Sequence, residues 1–417
     1  VSVNQAVHTQ HSPLDTYGVL MKALVISPQP FFSPRGTPFS VYYRTLIMAE
    51  LEVQVDLLTY GEGQDVEIPG VRIIRIPHFP FLGSVKVGPS HLKLFLDAFM
   101  FLWTFALLLR NRYHFVHAHE EAVFFCKILK PIFRFKLVYD MHSSLPQQLT
   151  NFRFTTSGTL IELFKKMEDG CLHGSDAVIT ICPDLFDYVN GLISDKGKHV
   201  LIENSIFEPI SIKRDFSGQE PGSGSQNTDE SLPVLPQGKR FITYAGTLEH
   251  YQGIDILIEA FKRVVAEVPD AFLLIAGGTS DQMRRYSSLA SKCGVGSHVL
   301  LTGNVPPAHA KYLNKSASVL VSPRSAGTNT PLKIYEQLAS EVPLVATAIH
   351  SHTQILNDDV AILVQPDPDD MARGLLRALG SNRESRRIAA NARRLYEREY
   401  SRDAYKKKMK RLLEVIG

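Results

Sequence analysis

The sequence predicts an α/β protein of two doubly wound, Rossmann-like domains facing each other across a cleft. Three observations carry this. Short apolar runs alternate with helical segments in both halves of the chain, the pattern of βαβ units in a parallel sheet. Between the halves, at residues 208–238, the composition turns to Gly, Ser, Pro and Gln (SGQEPGSGSQNTDESLPVLPQG), with little to bury. The 417 residues, 44% hydrophobic and 21% charged, are enough for two separate cores.

These observations divide the chain into four parts. Residues 1–20 are polar without an apolar core, which reads as a disordered extension and not a signal peptide. Residues 21–207 form the first domain, 208–238 a flexible linker and 239–397 the second domain, while a last helix within 398–417 returns to the first. A formal charge of +3 gives no global pull toward nucleic acid. Cys126, Cys171, Cys182 and Cys293 are scattered without CxxC spacing, pointing to a reducing compartment and no structural zinc.

In the first half, Lys22–Ser27 is a strand by its apolar run. The loop PQPFFSPRGTPFS, holding Arg35 and Gly36, leads into a helix from about Val41 to Glu50. Ligands of open parallel sheets bind at such strand-to-helix turns, and the lack of G-x-G-x-x-G argues against a dinucleotide oxidoreductase. Val53–Thr59 and Val71–Ile76 are strands. His91–Arg112 is a helix apolar nearly all round; its apolar core is short and contains Asp97, so burial is the first expectation. Contact with a membrane surface is the second, supported by the basic, apolar KILKPIFRFK at 127–136. Tyr113–Ala118 and Phe135–Tyr139 are strands that deliver His119 and His142-Ser143 at their C-terminal ends, where chemistry gathers in doubly wound sheets. A helix at 158–174, the strand Ala177–Ile181, a helix from Asp184 and the strand HVLIEN complete this half.

The second half alternates cleanly: FITYAG, a helix from Ile254, AFLLIAG, a helix from Ser280, HVLLTG, a helix near His309, VLVSP, a helix holding Glu336, LVATA and AILVQ. The turn GTLEHYQG (Gly246–Gly253) follows the first strand, and Gly277 ends the second, where it would let a ligand approach the backbone. Asp367-Pro368-Asp369 spells D-x-D, but Asp before a helix is foremost an N-cap, so no metal site is expected there. The last helix, about Arg402–Val415, carries KKKMKR.

The stretch Ser322–Thr347, SPRSAGTNTPLKIYEQLASEVPLVAT, carries the chemistry. After the strand come Arg324, Gly327, Thr328, Asn329 and Thr330, a turn-forming cluster. Thr330 is the expected N-cap and Pro331 the first helical residue. A helix N-terminus beside small residues binds anions, phosphate above all. Lys333 adds a cation, and Glu336 can accept two hydrogen bonds from a vicinal diol such as a ribose. An ordinary capped helix with a solvent-facing Lys/Glu pair is the other reading of this pattern.

This stretch resembles the donor-binding segment of retaining glycosyltransferases of the GT-B fold, family 4, and the resemblance extends from Met21 to the last helix. The family carries two glutamates separated by seven residues; Glu336 matches the second, which meets the donor ribose, while Thr328 stands where the first touches the sugar ring. The resemblance implies transfer of a sugar from a UDP- or GDP-linked nucleotide sugar to a saccharide or lipid-linked acceptor, with no cofactor and no metal. It implies roles for His119 (donor sugar), Lys333 and Glu336 as the catalytic set, and for Gly36, Gly246, Thr247, Gly277, Arg324, Gly327, Thr328, Asn329 and Thr330 around the donor. Arg35, His142 and Ser143 fall to the acceptor. Where the family carries Arg and Lys in the first turn of the second domain, this chain has Thr247 and Gln252. The departing diphosphate would itself take the acceptor proton, the protein supplying position and charge. Polysaccharide or glycoconjugate assembly in the cytoplasm, peripheral at the inner membrane face, is the expected setting. A non-catalytic partner of the same fold and a nucleotide-sugar epimerase are the rival readings.

Overall fold

The computed structural model of the chain describes residues 21–33, 36–79, 91–144, 158–207, 210 and 235–417. The polar extension 1–20, Arg35 and most of the linker expected at 208–238 lie outside the described residues.

The first sheet contains β1 (Lys22–Ser27), β2 (Gln54–Thr59), β3 (Val71–Arg75), β4 (Phe115–His119), β5 (Lys136–Met141), β6 (Ala177–Thr180) and β7 (His199–Leu201). Their order is β3-β2-β1-β4-β5-β6-β7, every neighbour pair parallel. Strands covered on both faces read as continuous apolar runs, which is why β1, β2 and β4 are almost wholly buried. Alternate residues of β1 divide between two cores. Leu24 and Ile26 meet α2 (His91–Arg110), α3 (Ala122–Phe133) and α4 (Gly158–Gly174). Ala23 and Val25 meet α1 (Gly36–Glu50). The helix α5 (Pro183–Leu192) contributes Leu185 and Val189 to the first of these cores.

The second sheet contains β8 (Arg240–Ala245), β9 (Ala271–Ala276), β10 (Val299–Gly303), β11 (Val319–Ser322), β12 (Leu344–Thr347) and β13 (Ile362–Val364), in the order β10-β9-β8-β11-β12-β13 and again parallel throughout. Its helices are α6 (Ile254–Glu267), α7 (Ser280–Lys292), α8 (Pro307–Ser316), α9 (Leu332–Ala339), α10 (His350–Thr353), α11 (Pro368–Gly380) and α12 (Asn382–Glu399). Asp367 caps α11, accepting from the Asp370 N–H at 3.0 Å. That gives the D-x-D motif its local role.

The last helix, α13 (Arg402–Ile416), returns to the first domain. Tyr405, Met409, Leu412, Leu413 and Ile416 join the core that contains Val25 and Met48. Its basic run serves this docking: Arg402 and Lys406 pair with Glu50 on α1, and Lys408 lies 2.6 Å from Glu203.

In both sheets the strand order reverses beside the first strand of the domain, between β1 and β4 and between β8 and β11. Ligands of open α/β sheets bind in the crevice beyond the strand ends at that point. Gly36 and His119 flank the first such point, Gly246 and the loop after Ser322 the second.

One expectation is corrected. α2 is not buried all round: Leu96, Met100, Thr104 and Leu108, four residues apart, form its packed stripe, while Leu94, Leu102 and Leu109 are each more than half exposed, at 64%, 56% and 65%. The helix is apolar on both sides, but only one side meets the core. By length and composition Leu92–Arg110 could also cross a membrane.

Candidate active site

On the second domain, the loop after β11 is folded around its own arginine. Arg324 donates through Nε to the Ala326 carbonyl at 2.6 Å and through Nη1 to the Asn329 carbonyl at 3.3 Å, over the Tyr251 ring at 5.3 Å. Gly327 lies at φ +133°, and a Cβ there would overlap the guanidinium. Arg324 is therefore first a clamp on its loop, with part of its fork of donors left over. Burial lowers its pKa.

Pro331, not Thr330, is the N-cap of α9: its ψ of 136° keeps it extended, so the helix starts at Leu332. Thr330 Oγ1 is buried without a hydrogen-bond partner among the described residues. The expected cap fails because Pro331, expected as the first helical residue, is itself extended and moves the helix start one residue on.

Lys333 Nζ donates to Gln252 Oε1 at 2.9 Å and sits 4.1 Å over the Tyr244 ring. Burial, with Arg324 adding to it, brings its pKa down to about 7. Gln252, in the position where the family carries a lysine, thus holds the lysine that is present. One turn on, Glu336 is exposed and its carboxylate has no partner among the described residues. The protein walls around it raise its pKa, and Lys311 works against that rise.

The strand ends below are drawn tightly together. Gly277, at φ +120°, packs beneath Gly246, whose carbonyl a Cβ would overlap. The Thr247 carbonyl accepts from Tyr244 OH at 2.6 Å and its Oγ1 from Gln252 Nε2 at 3.4 Å.

Asn329 reaches the other domain directly, and Thr328 through Gln354. Gln354 donates to the Thr328 carbonyl at 2.6 Å while its Oε1 accepts from the Asp184 N–H at 3.1 Å. Asn329 Nδ2 donates to the His142 carbonyl at 3.4 Å. His350 and Asp184 pair at 3.1 Å across the same seam.

On the first domain, His119 is the last residue of β4 and fully buried, as is His117 two residues before it on the same face. Both surround Asp140, on the adjacent strand β5. The Asp140 Oδ2 lies 2.8 Å from His117 Nε2 and 3.2 Å from His119 Nδ1, and Oδ1 lies 3.3 Å from His142 Nε2. Arg44 of α1 pairs with this carboxylate through Nε and Nη2 and donates through Nη1 to Tyr405 OH at 2.9 Å. Burial disfavours the Asp140 charge, but Arg44 and the three surrounding histidines together outweigh it and hold the carboxyl well below its usual range. Burial also lowers the pKa values of His117 and His119, leaving both rings neutral near pH 7. His117, His119 and Asp140 offer ligand-type atoms within 4.8 Å of one another. They do not fit a cation, because Arg44 already faces the carboxylate and would repel it.

Gly36 opens α1 with free space around its Cα. His142, expected to face the cleft, is only 4% exposed and is turned toward Asp140. Ser143 is half-buried beside it. Arg44, His117, Asp140 and Tyr405 were not read from the sequence. The H-x-H of β4 and the Asp two residues before His142 were visible signals, whereas nothing local marks Arg44 or Tyr405.

A family profile described as "Glycosyl transferases group 1" matches residues 226–395, and one described as "Glycosyl transferase 4-like domain" matches residues 46–205. An uncharacterized glycosyltransferase, MJ1607, of Methanocaldococcus jannaschii is 27% identical over 85% of this chain and 85% of its own. A subunit of the phosphatidylinositol N-acetylglucosaminyltransferase of Arabidopsis thaliana is 24% identical over 86% of this chain and 74% of its own. Among solved structures, a sucrose-phosphate synthase from Thermosynechococcus elongatus superposes with a TM-score of 0.70 at 20% identity, covering 94% of this chain and 98% of that one. Anabaena HepE in complex with UDP and glucose gives 0.64 at 13% identity, covering 94% and 99%. With its two parallel sheets, their switch points and both profile matches, the chain belongs to the group 1 glycosyltransferases and has the GT-B fold.

Proposed function

We propose that the protein transfers a sugar, with retention of configuration, from a UDP- or GDP-linked nucleotide sugar to a saccharide or lipid-linked acceptor. The observation that carries this reading is the placement of Lys333 at the start of α9, beside Gly246 and within one turn of the open carboxylate of Glu336. A diphosphate would meet the helix N-terminus and Lys333, and its ribose would meet Glu336. Lys333 supplies charge where the leaving diphosphate gains it, which is the requirement of an electrostatically stabilised departure and needs no metal. The resemblance assigns the sugar contact to His119 on the facing domain, whose ring is fully buried in this structure. Anabaena HepE, whose structure holds UDP and glucose, is consistent with a uridine donor.

The exposed apolar residues of α2, with Ile128 and Ile132 on α3 and Leu163 and Met167 on α4, support docking at a membrane surface. Exposed Arg134, Lys136, Lys165 and Lys166 accompany them and suit an anionic inner leaflet. Assembly of a polysaccharide or glycolipid at the cytoplasmic face is consistent with such docking, and the relative from Arabidopsis is named a phosphatidylinositol N-acetylglucosaminyltransferase subunit.

Thermal stabilisation by UDP, GDP and ADP tests the donor site. One nucleotide should stabilise the wild-type protein, with a smaller effect in Glu336→Ala and Lys333→Ala. Stabilisation by none of the three would overturn the donor assignment and favour the non-catalytic partner. Analysis of the anomeric product then decides between retention and inversion.

A further inference from the structure

At the seam between the domains, the start of α5 is completed by groups from the second domain. Cys182, in an extended conformation, is the N-cap of α5, and its side chain makes no capping hydrogen bond. The first turn of a helix leaves backbone N–H groups without intrahelical partners. One of them, the Asp184 N–H, donates to Gln354 Oε1 at 3.1 Å. The same carboxamide donates through Nε2 to the Thr328 carbonyl at 2.6 Å. A single side chain joins the loop before α9 to the first domain.

The chemistry of this bridge admits few residues. One partner is a backbone donor and the other a backbone acceptor, so the bridging group must accept and donate at once. A carboxamide does both; a carboxylate only accepts, and an ammonium or guanidinium only donates. Turning the amide over would break both contacts, so its partners fix its orientation. Gln354 also stands on a firm base. It follows α10, where the buried His352 lies with Nε2 3.1 Å from Ser322 Oγ and Nδ1 2.9 Å from the Thr347 carbonyl, tying α10 to the ends of β11 and β12. Asn329 makes a parallel pair of contacts. Its Nδ2 donates to the His142 carbonyl at 3.4 Å and its Oδ1 accepts from Cys182 Sγ at 3.9 Å. The His350–Asp184 ion pair beside them is 62% and 52% exposed and adds little.

We propose that Gln354 is a positioning residue that latches the Thr328–Asn329 loop to the start of α5, so that the loop is held in this conformation only while the two domains are together. That the loop lies beside a donor rests on the proposed function; the latch does not. A hydrogen bond of this kind shifts an equilibrium by roughly two- to tenfold. The latch therefore biases the domains without locking them.

Residue-resolved amide hydrogen exchange on the full chain tests this, with the Asp184 N–H as reporter. In Gln354→Met, shown to melt with the wild type, this amide should exchange roughly two- to tenfold faster while the amides of β11 keep their rates. His350→Ala, which removes only the exposed ion pair, should leave the Asp184 rate unchanged. An unchanged rate in Gln354→Met overturns the latch, and so does an equal acceleration in His350→Ala. Saturating UDP should slow the Asp184 amide further in the wild type, because a ligand that orders the loop strengthens its hold on the first domain. That response should vanish in Gln354→Met and in Gln354→Glu, since the glutamate has no donor for the Thr328 carbonyl. A response kept in full by either variant overturns the coupling. A wild-type protein that binds no UDP would strike the proposed function instead, and the nucleotide-free comparison would still decide the latch.

Discussion

Lys333 makes a quantitative prediction, because burial and the neighbouring Arg324 bring its pKa to about 7. The free site is then half protonated at pH 7, and a diphosphate binds the protonated form. Binding takes up a proton, so affinity falls as pH rises through the pKa of the free lysine. With the lysine held protonated in the complex throughout this range, affinity should drop about fivefold from pH 7 to 8 and about ninefold more from 8 to 9, a total of about 2.3 kcal/mol. UDP is a suitable probe, since a terminal phosphate with a second pKa near 6 is already almost fully ionised at pH 7 and above. Calorimetric titration at pH 7, 8 and 9 is the assay. In Lys333→Met the slope should vanish and binding at pH 7 should weaken; in Lys333→Arg the slope should vanish while binding stays strong, because a guanidinium remains charged. An affinity independent of pH in the wild type, or an unchanged slope in Lys333→Met, would refute the placement of the diphosphate at this lysine.

Three further outcomes are expected. Gly277→Ala should cost on the order of 3 kcal/mol, since the new Cβ overlaps the Gly246 carbonyl at a backbone angle that favours glycine; an unchanged Tm would contradict the packing of the β8 and β9 ends. Arg44→Met should lose about 3–5 kcal/mol in denaturant unfolding because it strands the buried Asp140, and Arg44→Met with Asp140→Leu should recover much of the loss. Ile128→Glu with Ile132→Glu, on an exposed helix face, should reduce co-sedimentation with vesicles containing anionic lipid and leave nucleotide stabilisation intact; equal sedimentation would remove the membrane face.

By itself the sequence determined the two-domain α/β architecture and the alternation of its elements. A strand buried on both faces must be apolar along its whole length, and a crossover needs a helix, so periodicity alone reveals them. It also marked the α9 segment, where small residues, a proline and a cation fall within a few positions of a helix start. His119 was legible as the end of a strand. What lies behind it was not. Arg44 sits mid-helix and Tyr405 is 361 residues away, and only the return of α13 onto α1 brings them together. Arg324 is expected around the donor, yet the loop curls back so that its own carbonyls take two of the arginine's donors. The apolar far side of α2 looked like core because hydrophobicity does not say which side meets the protein. Strand order, and with it the two switch points that bring Gly36, His119, Gly246 and Lys333 to the crevices, depends on pairing between strands distant in sequence. Such pairing is decided by which faces bury best together, and only the tertiary structure settles that.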